Sequence, residues 1–173
     1  MEVDIVAATH PEVVQNLFPL YAYDLSEVTE ADVSADGRFA IPESLLEYWA
    51  RPPGKFWPRE WRGLPFLLRV AGALVGFALV RQMGPGAYDM GEFFVLRKYR
   101  RRGLGRSAAR KLFDALPGSW EVRQLPENRP AQAFWRQVIA EHTRGDFAEA
   151  QAYFDFYKRE YIVQRFITPA AGS

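Results

Sequence analysis

Apolar positions along this chain recur with two periods, and the changes of period mark out its elements. Val3, Ile5 and Val6 give a short strand pattern. Thr9-His10-Pro11-Glu12 has the form of a capping box, and Val14, Leu17, Phe18 and Tyr21 follow at helical spacing. Pro19 inside that spacing predicts a helix that is interrupted or ends early. Leu45, Leu46 and Trp49 predict a second short helix near Pro42–Ala50, and the proline-rich stretch from Arg51 to Pro65 reads as a loop. Apolar runs at Phe66–Val70 and Ala73–Val80 flank Ala71-Gly72, the signature of a hairpin, and Met90–Leu96 supplies a third strand. Leu104, Ala108, Leu112 and Leu116 then recur every four residues until Pro117-Gly118 stops the helix. Trp120–Gln124 reads as a strand. Ala131, Phe134, Trp135, Val138 and Ile139 form an amphipathic helix capped by Asn128, and two strands close the chain at Phe147–Phe156 and Tyr161–Ile167.

The resulting order, β-α-α-β-β-β-α-β-α-β-β, joins hairpin-linked strands to a strand–helix–strand crossover. It predicts a single α/β (α+β) domain over residues 1–173, with a mixed, mostly antiparallel, twisted sheet of about seven strands and helices on both faces.

Composition narrows the chemistry. The chain has no cysteine, which excludes disulfides and thiol-based mechanisms. Its two histidines, His10 and His142, lie far apart, and no metal-ligand spacing is present, so no metal is expected. No apolar run reaches the length of a membrane span and no leader pattern precedes the first strand, which makes a cytoplasmic protein without a membrane partner the default expectation. Net charge is +1, yet eight of the 22 basic residues fall between Arg97 and Lys111. Basicity that local suits a small anion and argues against nucleic acid as a partner.

The basic cluster sits in one place: an apolar run, Phe93-Phe94-Val95-Leu96, runs into Arg100-Arg101-Arg102-Gly103-Leu104-Gly105-Arg106, and a helix leaves it. Glycines let the backbone approach a ligand, and the first turn of a helix points N–H groups and a positive dipole end at the same spot. That combination is a seat for phosphate.

Arg100 to Gly105 resembles the Q/R-x-x-G-x-G/A signature of the GNAT (GCN5-related) N-acetyltransferases. The likeness extends upstream to Val95 and Tyr99, and downstream to Asn128 and Ala131. It implies a GNAT-like sheet with splayed central strands and acetyl-CoA as cosubstrate. The pyrophosphate would rest on the amides of Arg101, Arg102, Gly103, Leu104, Gly105 and Arg106, with Arg100 beside them. The pantetheine arm would pair with the backbone of Phe93 and Val95, and Asn128 would touch it from the far side. The implied reaction is direct attack of an amine on the thioester. Three carboxylates compete as its general base: Glu92, favoured for its apolar neighbours, Asp89, and Glu121, whose Glu-Val-Arg setting resembles that of peptide N-terminal acetyltransferases. Where many members carry a tyrosine as general acid, seven residues after the asparagine, this chain has Trp135, which leaves Tyr153, Tyr157 and Tyr161 as distant candidates for that role. A coenzyme A-binding regulatory module of weak or no activity is therefore the alternative. The acidic, aromatic first third points to a cationic small-molecule or peptide amine, with Tyr23, Asp24 and Trp57 as substrate contacts. Monomer and homodimer are both open.

Overall fold

The structure, a computed structural model, describes residues 2–50 and 61–169. Strand β1 (Asp4–Ala7) leads into helix α1 (Glu12–Thr29) and a short 3₁₀ segment (Glu43–Tyr48). Three antiparallel strands follow, β2 (Arg62–Val70), β3 (Ala73–Gly84) and β4 (Ala87–Val95), then helix α2 (Leu104–Ala115). Strand β5 (Gly118–Gln124), helix α3 (Arg129–Thr143) and strands β6 (Phe147–Phe154) and β7 (Arg159–Thr168) complete the chain. All seven strands share one sheet in the order β1-β2-β3-β4-β5-β7-β6. Among the described residues only the β4–β5 pair is parallel, as its α2 crossover requires.

Helices cover both faces. On one, Ala109, Leu112 and Phe113 of α2 and Trp135, Val138 and Ile139 of α3 bury Val80, Met90, Trp120 and Val122. On the other, Val14, Leu17 and Phe18 of α1, with Leu45 and Tyr48 of the 3₁₀ segment, cover Leu67, Phe77, Leu79 and Phe94. Among the described residues no helix is long and apolar enough to cross a membrane, and no group of His, Cys, Asp or Glu is placed to hold a metal ion.

Three local expectations are corrected. The capping box does not form: Pro11 takes the N-cap position without a side-chain cap, which leaves Thr9 two residues too far out and Glu12 two residues too early. Pro19 does not end α1, which continues to Thr29 and closes on a left-handed Glu30. An interior proline costs about 3 kcal/mol, and the buried side chains of Val14, Leu17 and Phe18 offset it. Strand β2 begins at Arg62, inside the expected loop, because β3 extends to Gly84 and offers its far end as a pairing partner, Arg62 opposite Gln82.

Candidate active site

Strand β4 carries the first irregularity that matters. Leu79 of β3 pairs with Glu92 and Val80 pairs with Met90, so Gly91 is an extra residue, a β-bulge. Glycine is required there: a Cβ on Gly91 would lie 2.0 Å from the Tyr48 hydroxyl and 3.0 Å from the Leu79 carbonyl. The bulge resets the alternation of side chains. Met90 and Phe93 both pack on the α2–α3 face, and Phe94 packs on the α1 face. Beyond the bulge β4 and β5 part. Their pairing ends at Met90 opposite Val122, while β4 continues to Val95 and β5 to Gln124. A row of β4 backbone groups from Gly91 onward thus faces an opening in the middle of the sheet.

The basic loop closes one end of that opening. After a 3₁₀ turn (Arg97–Tyr99), Arg101 and Gly103 both take left-handed conformations, φ 58° and 76°. Gly103 is the N-cap of α2, and nothing lies within 4 Å of the place a Cβ would occupy. The first-turn amides Leu104, Gly105 and Arg106 have no carbonyl behind them within the helix. Arg101 and Arg102 are exposed. Arg106 is 3.3 Å from Glu141 of α3. Arg100 turns back: its Nε donates to the Val95 carbonyl at 2.6 Å, and its terminal nitrogen pairs with Asp24. Arg97 donates to the other oxygen of Asp24 at 2.7 Å.

At the other end lies a cleft of about 300 Å³, lined by Tyr21, Glu92, Phe93, Arg123, Asn128 and Trp135 among others. Glu92 is half-buried and accepts a hydrogen bond from Tyr21 Oη at 2.5 Å. Burial raises its carboxyl above the ordinary carboxylate range; the Tyr21 bond and the nearby Arg81 and Arg123 guanidiniums pull partly the other way. Burial also holds the Tyr21 phenol well above its usual range, so Tyr21 stays the donor.

The two competing carboxylates sit differently. Asp89 is 4% exposed, and its Oδ2 takes Arg81 Nε at 2.8 Å and Arg123 Nη2 at 2.5 Å. Glu121 accepts from Arg165 Nε at 2.8 Å and lies 3.5 Å from Arg123. Neither lines the cleft wall that Glu92 lines. Asn128 does line it, and its side chain also caps α3 by accepting from the Ala131 amide at 3.1 Å. Trp135 is 6% exposed and meets Phe93 edge to face, ring centres 5.1 Å apart.

Tyr23 and Asp24 stand apart from Glu92's cleft. They line a separate depression with Glu27, Asp32 and Arg97, where Tyr23 is exposed and Asp24 is taken up by the two arginines. Trp57 lies outside the described residues. Of the three tyrosines distant in sequence, Tyr157 and Tyr161 line the cleft and the exposed Tyr153 does not; Arg81, Arg123 and Arg159, which nothing in the sequence marks as site residues, line it too. The available signal was a charged residue ending an otherwise apolar strand run, as Arg81 does after Ala73–Val80; Arg123, in the alternating Trp120-Glu121-Val122-Arg123, gave no such signal.

A strand edge held open beside a left-handed glycine and a free helix N-terminus fits a long amide-bearing arm with a pyrophosphate at its end, which is the shape of coenzyme A. The Gly103 surroundings leave that pyrophosphate room.

Comparison with known proteins adds an independent line. A family model described as the acetyltransferase (GNAT) family matches residues 29–138. Among solved structures, the chain is similar to an acetyltransferase from Thermus thermophilus at TM-score 0.65 and 14% identity, over 96% of this chain and 97% of that one. It is similar to the ribosomal-protein-S18-alanine N-acetyltransferase of Escherichia coli at TM-score 0.55 and 20% identity, over 99% and 97%. A Bacillus subtilis acetyltransferase solved with CoA gives TM-score 0.52 and 11% identity, over 96% and 97%. None of the curated protein sequences matches the chain.

Proposed function

We propose that this chain, which belongs to the acetyltransferase (GNAT) family, moves an acetyl group from acetyl-CoA to a primary amine by direct attack in a ternary complex. The observation that carries the proposal is the opening between β4 and β5, with a phosphate seat at one end and Glu92 at the other. Acetyl-CoA supplies the activated acetyl group. The loop amides of residues 101–106 hold its pyrophosphate, and the unpaired edge of Phe93 and Val95 holds its arm, with Asn128 opposite. The acceptor amine arrives protonated and therefore cationic at neutral pH. Glu92 faces it as the general base, positioned by Tyr21 and raised by burial toward a useful pKa. A backbone N–H near Val95 stabilises charge on the carbonyl oxygen of the acetyl group. The Bacillus subtilis relative solved with CoA supports the cosubstrate, and the Escherichia coli relative, an alanine N-acetyltransferase by its description, supports an amine acceptor.

Trp135 favours a second reading, a coenzyme A-binding module of little activity, because an indole N–H is too weak an acid to protonate a leaving thiolate. Two phenols stand in the cleft to take that role, Tyr157 and Tyr161, and burial keeps both above the usual tyrosine range and hence protonated. Thiol release from acetyl-CoA across a panel of amines separates the readings. Glu92→Gln is expected to lower kcat by about 10²–10³ while leaving acetyl-CoA affinity unchanged. If Glu121→Gln or Asp89→Asn shows that loss and Glu92→Gln does not, Glu92 is not the base.

A further inference from the structure

One polar side chain in the cleft is unanswered by the protein around it. Gln124, the last residue of β5, lines the cleft and is 5% exposed. Its Nε2 and Oε1 are both buried, and neither has a hydrogen-bond partner among the described residues. Among the described residues, no other residue lining the cleft has a buried polar side-chain atom left in that state. The neighbouring amides are already engaged. Gln132 donates to the Leu125 and Pro126 carbonyls, both at 2.9 Å, and Asn128 caps α3. A buried donor and acceptor without partners cost stability, and native proteins keep few of them.

Its place in the sheet narrows what can answer it. Trp120 and Val122 pack into the core beneath α2 and α3, and Gln124 continues that alternation on the same face. Ala131 and Trp135 of α3 line the same cleft. Glu92, by contrast, takes its hydrogen bond from Tyr21 of α1, on the opposite face. The cleft therefore passes through the sheet. The last paired residues of β4 and β5 are Met90 and Val122. Two residues further along each strand stand Glu92 and Gln124, where the strands have parted.

The arm of coenzyme A carries secondary amides, and in a trans amide the N–H and the C=O point to opposite sides. An arm laid along the unpaired edge of β4 satisfies the groups that face β4 and turns the others toward β5. The backbone of β5 stays with β7, Gln124 opposite Ile162, and does not close on them. A carboxamide at the end of a flexible side chain spans such a gap and offers both a donor and an acceptor. We propose that Gln124 is a positioning residue for the cosubstrate: its carboxamide turns to the opening and hydrogen-bonds the arm amide nearest the thioester, across from Phe93. The inference rests on the acetyl-CoA reading of this cleft, and it gives the chain a side chain that sets how far the arm advances toward Glu92. No bond is made or broken by Gln124.

Two measurements on the full chain, neither of them turnover, test it in Gln124→Met and Gln124→Leu. The first is calorimetric affinity for CoA and for adenosine 3′-phosphate 5′-diphosphate, which has the pyrophosphate but no arm. Each variant is expected to bind CoA about tenfold more weakly and to bind the armless nucleotide within about twofold of the unaltered chain. The second is the melting temperature without ligand. It should hold or rise, because an apolar side chain replaces a buried amide that lacks partners, while the increase on adding CoA should shrink. The leucine variant supplies both readouts if the methionine variant does not fold. Failure of both to fold, or a loss of several degrees in both without ligand, makes the carboxamide a structural group and overturns the inference. Unchanged CoA affinity, or an equal loss for both nucleotides, overturns it while leaving the acetyl-CoA reading standing. An unaltered chain that binds neither nucleotide overturns that reading and the role of Gln124 with it.

Discussion

The two ends of the opening between β4 and β5 are built on different principles. The end proposed to hold phosphate is one contiguous stretch, Arg100 to Arg106, and offers main-chain amides shaped by two left-handed residues. The acceptor end is assembled from side chains of α1, β3, β4, β5, α3, the β6–β7 connection and β7, contributed by residues as far apart as Tyr21 and Tyr161. A site made of backbone needs only the right local conformation, so a handful of adjacent residues encodes it. A site made of side chains needs the whole sheet in register before any of its groups meet. The first end therefore suits a ligand shared across a family, and the second is free to differ from member to member.

The sharpest way to break this comparison is at Gly103. A Cβ at Gly103 meets nothing, and Asp tolerates left-handed backbone better than most residues, so Gly103→Asp should still fold, at a cost of about 1–2 kcal/mol for the φ of 76°. Its carboxylate would nonetheless stand where the pyrophosphate is held, and acetyl-CoA affinity measured by calorimetry should fall more than about a hundredfold. Unchanged affinity would remove the phosphate seat. The next largest effect lies at Gly91, where the two ends are joined. Gly91→Ala drives a methyl into the Tyr48 hydroxyl and should cost about 1–3 kcal/mol in thermal or urea unfolding. Adding Tyr48→Phe should recover part of that loss, and strictly additive losses would refute the contact. Asn128→Ala sharpens the comparison from the helix side. Losing the α3 cap should cost about 1 kcal/mol of stability, with a further drop in acetyl-CoA affinity if the side chain also meets the arm. The smallest effect is a shift in pH dependence. A Glu92 that serves as the proposed base must be deprotonated, so activity is expected to rise with pH through its pKa, above the ordinary carboxylate value of 4.5. The Tyr21 hydrogen bond lowers that pKa, so Tyr21→Phe should move the acidic limb of the kcat/KM profile to higher pH. A limb that moves down or stays fixed would detach Tyr21 from Glu92.

The same contrast explains what was legible in the sequence. The order of elements and the loop at Gly103 followed from periodicity and from glycines at a strand–helix junction, both of them local signals. The splay of the strands came from family resemblance, since nothing in Met90-Gly91-Glu92 announces which glycine is a bulge. The bulge shows only in how β3 pairs with β4. Pro19 was misleading for the opposite reason: its local preference is strong, and burial of its neighbours against the sheet overrides it. Glu92 could be singled out by its apolar neighbours, but Tyr21, 71 positions earlier, could not be paired with it until α1 had docked. Arg81 and Arg123 could not be placed at the site, because a helical or strand period does not reveal that Asp89 lies between them. Asp24 illustrates the reverse case. Its acidity suggested a role toward an incoming amine, and the structure pairs it with Arg97 and Arg100.

An unpaired strand edge is ordinarily a hazard, since any exposed strand of another molecule can add to it and begin aggregation. This protein keeps such an edge, but in the interior of its sheet, with β3 bonded to the other side of β4 and helices over both faces. A slot of that kind admits a thread and refuses a sheet. The bulge at Gly91 thus leaves the chain an unpaired edge enclosed within its own sheet, where the proposed arm would dock as a single strand.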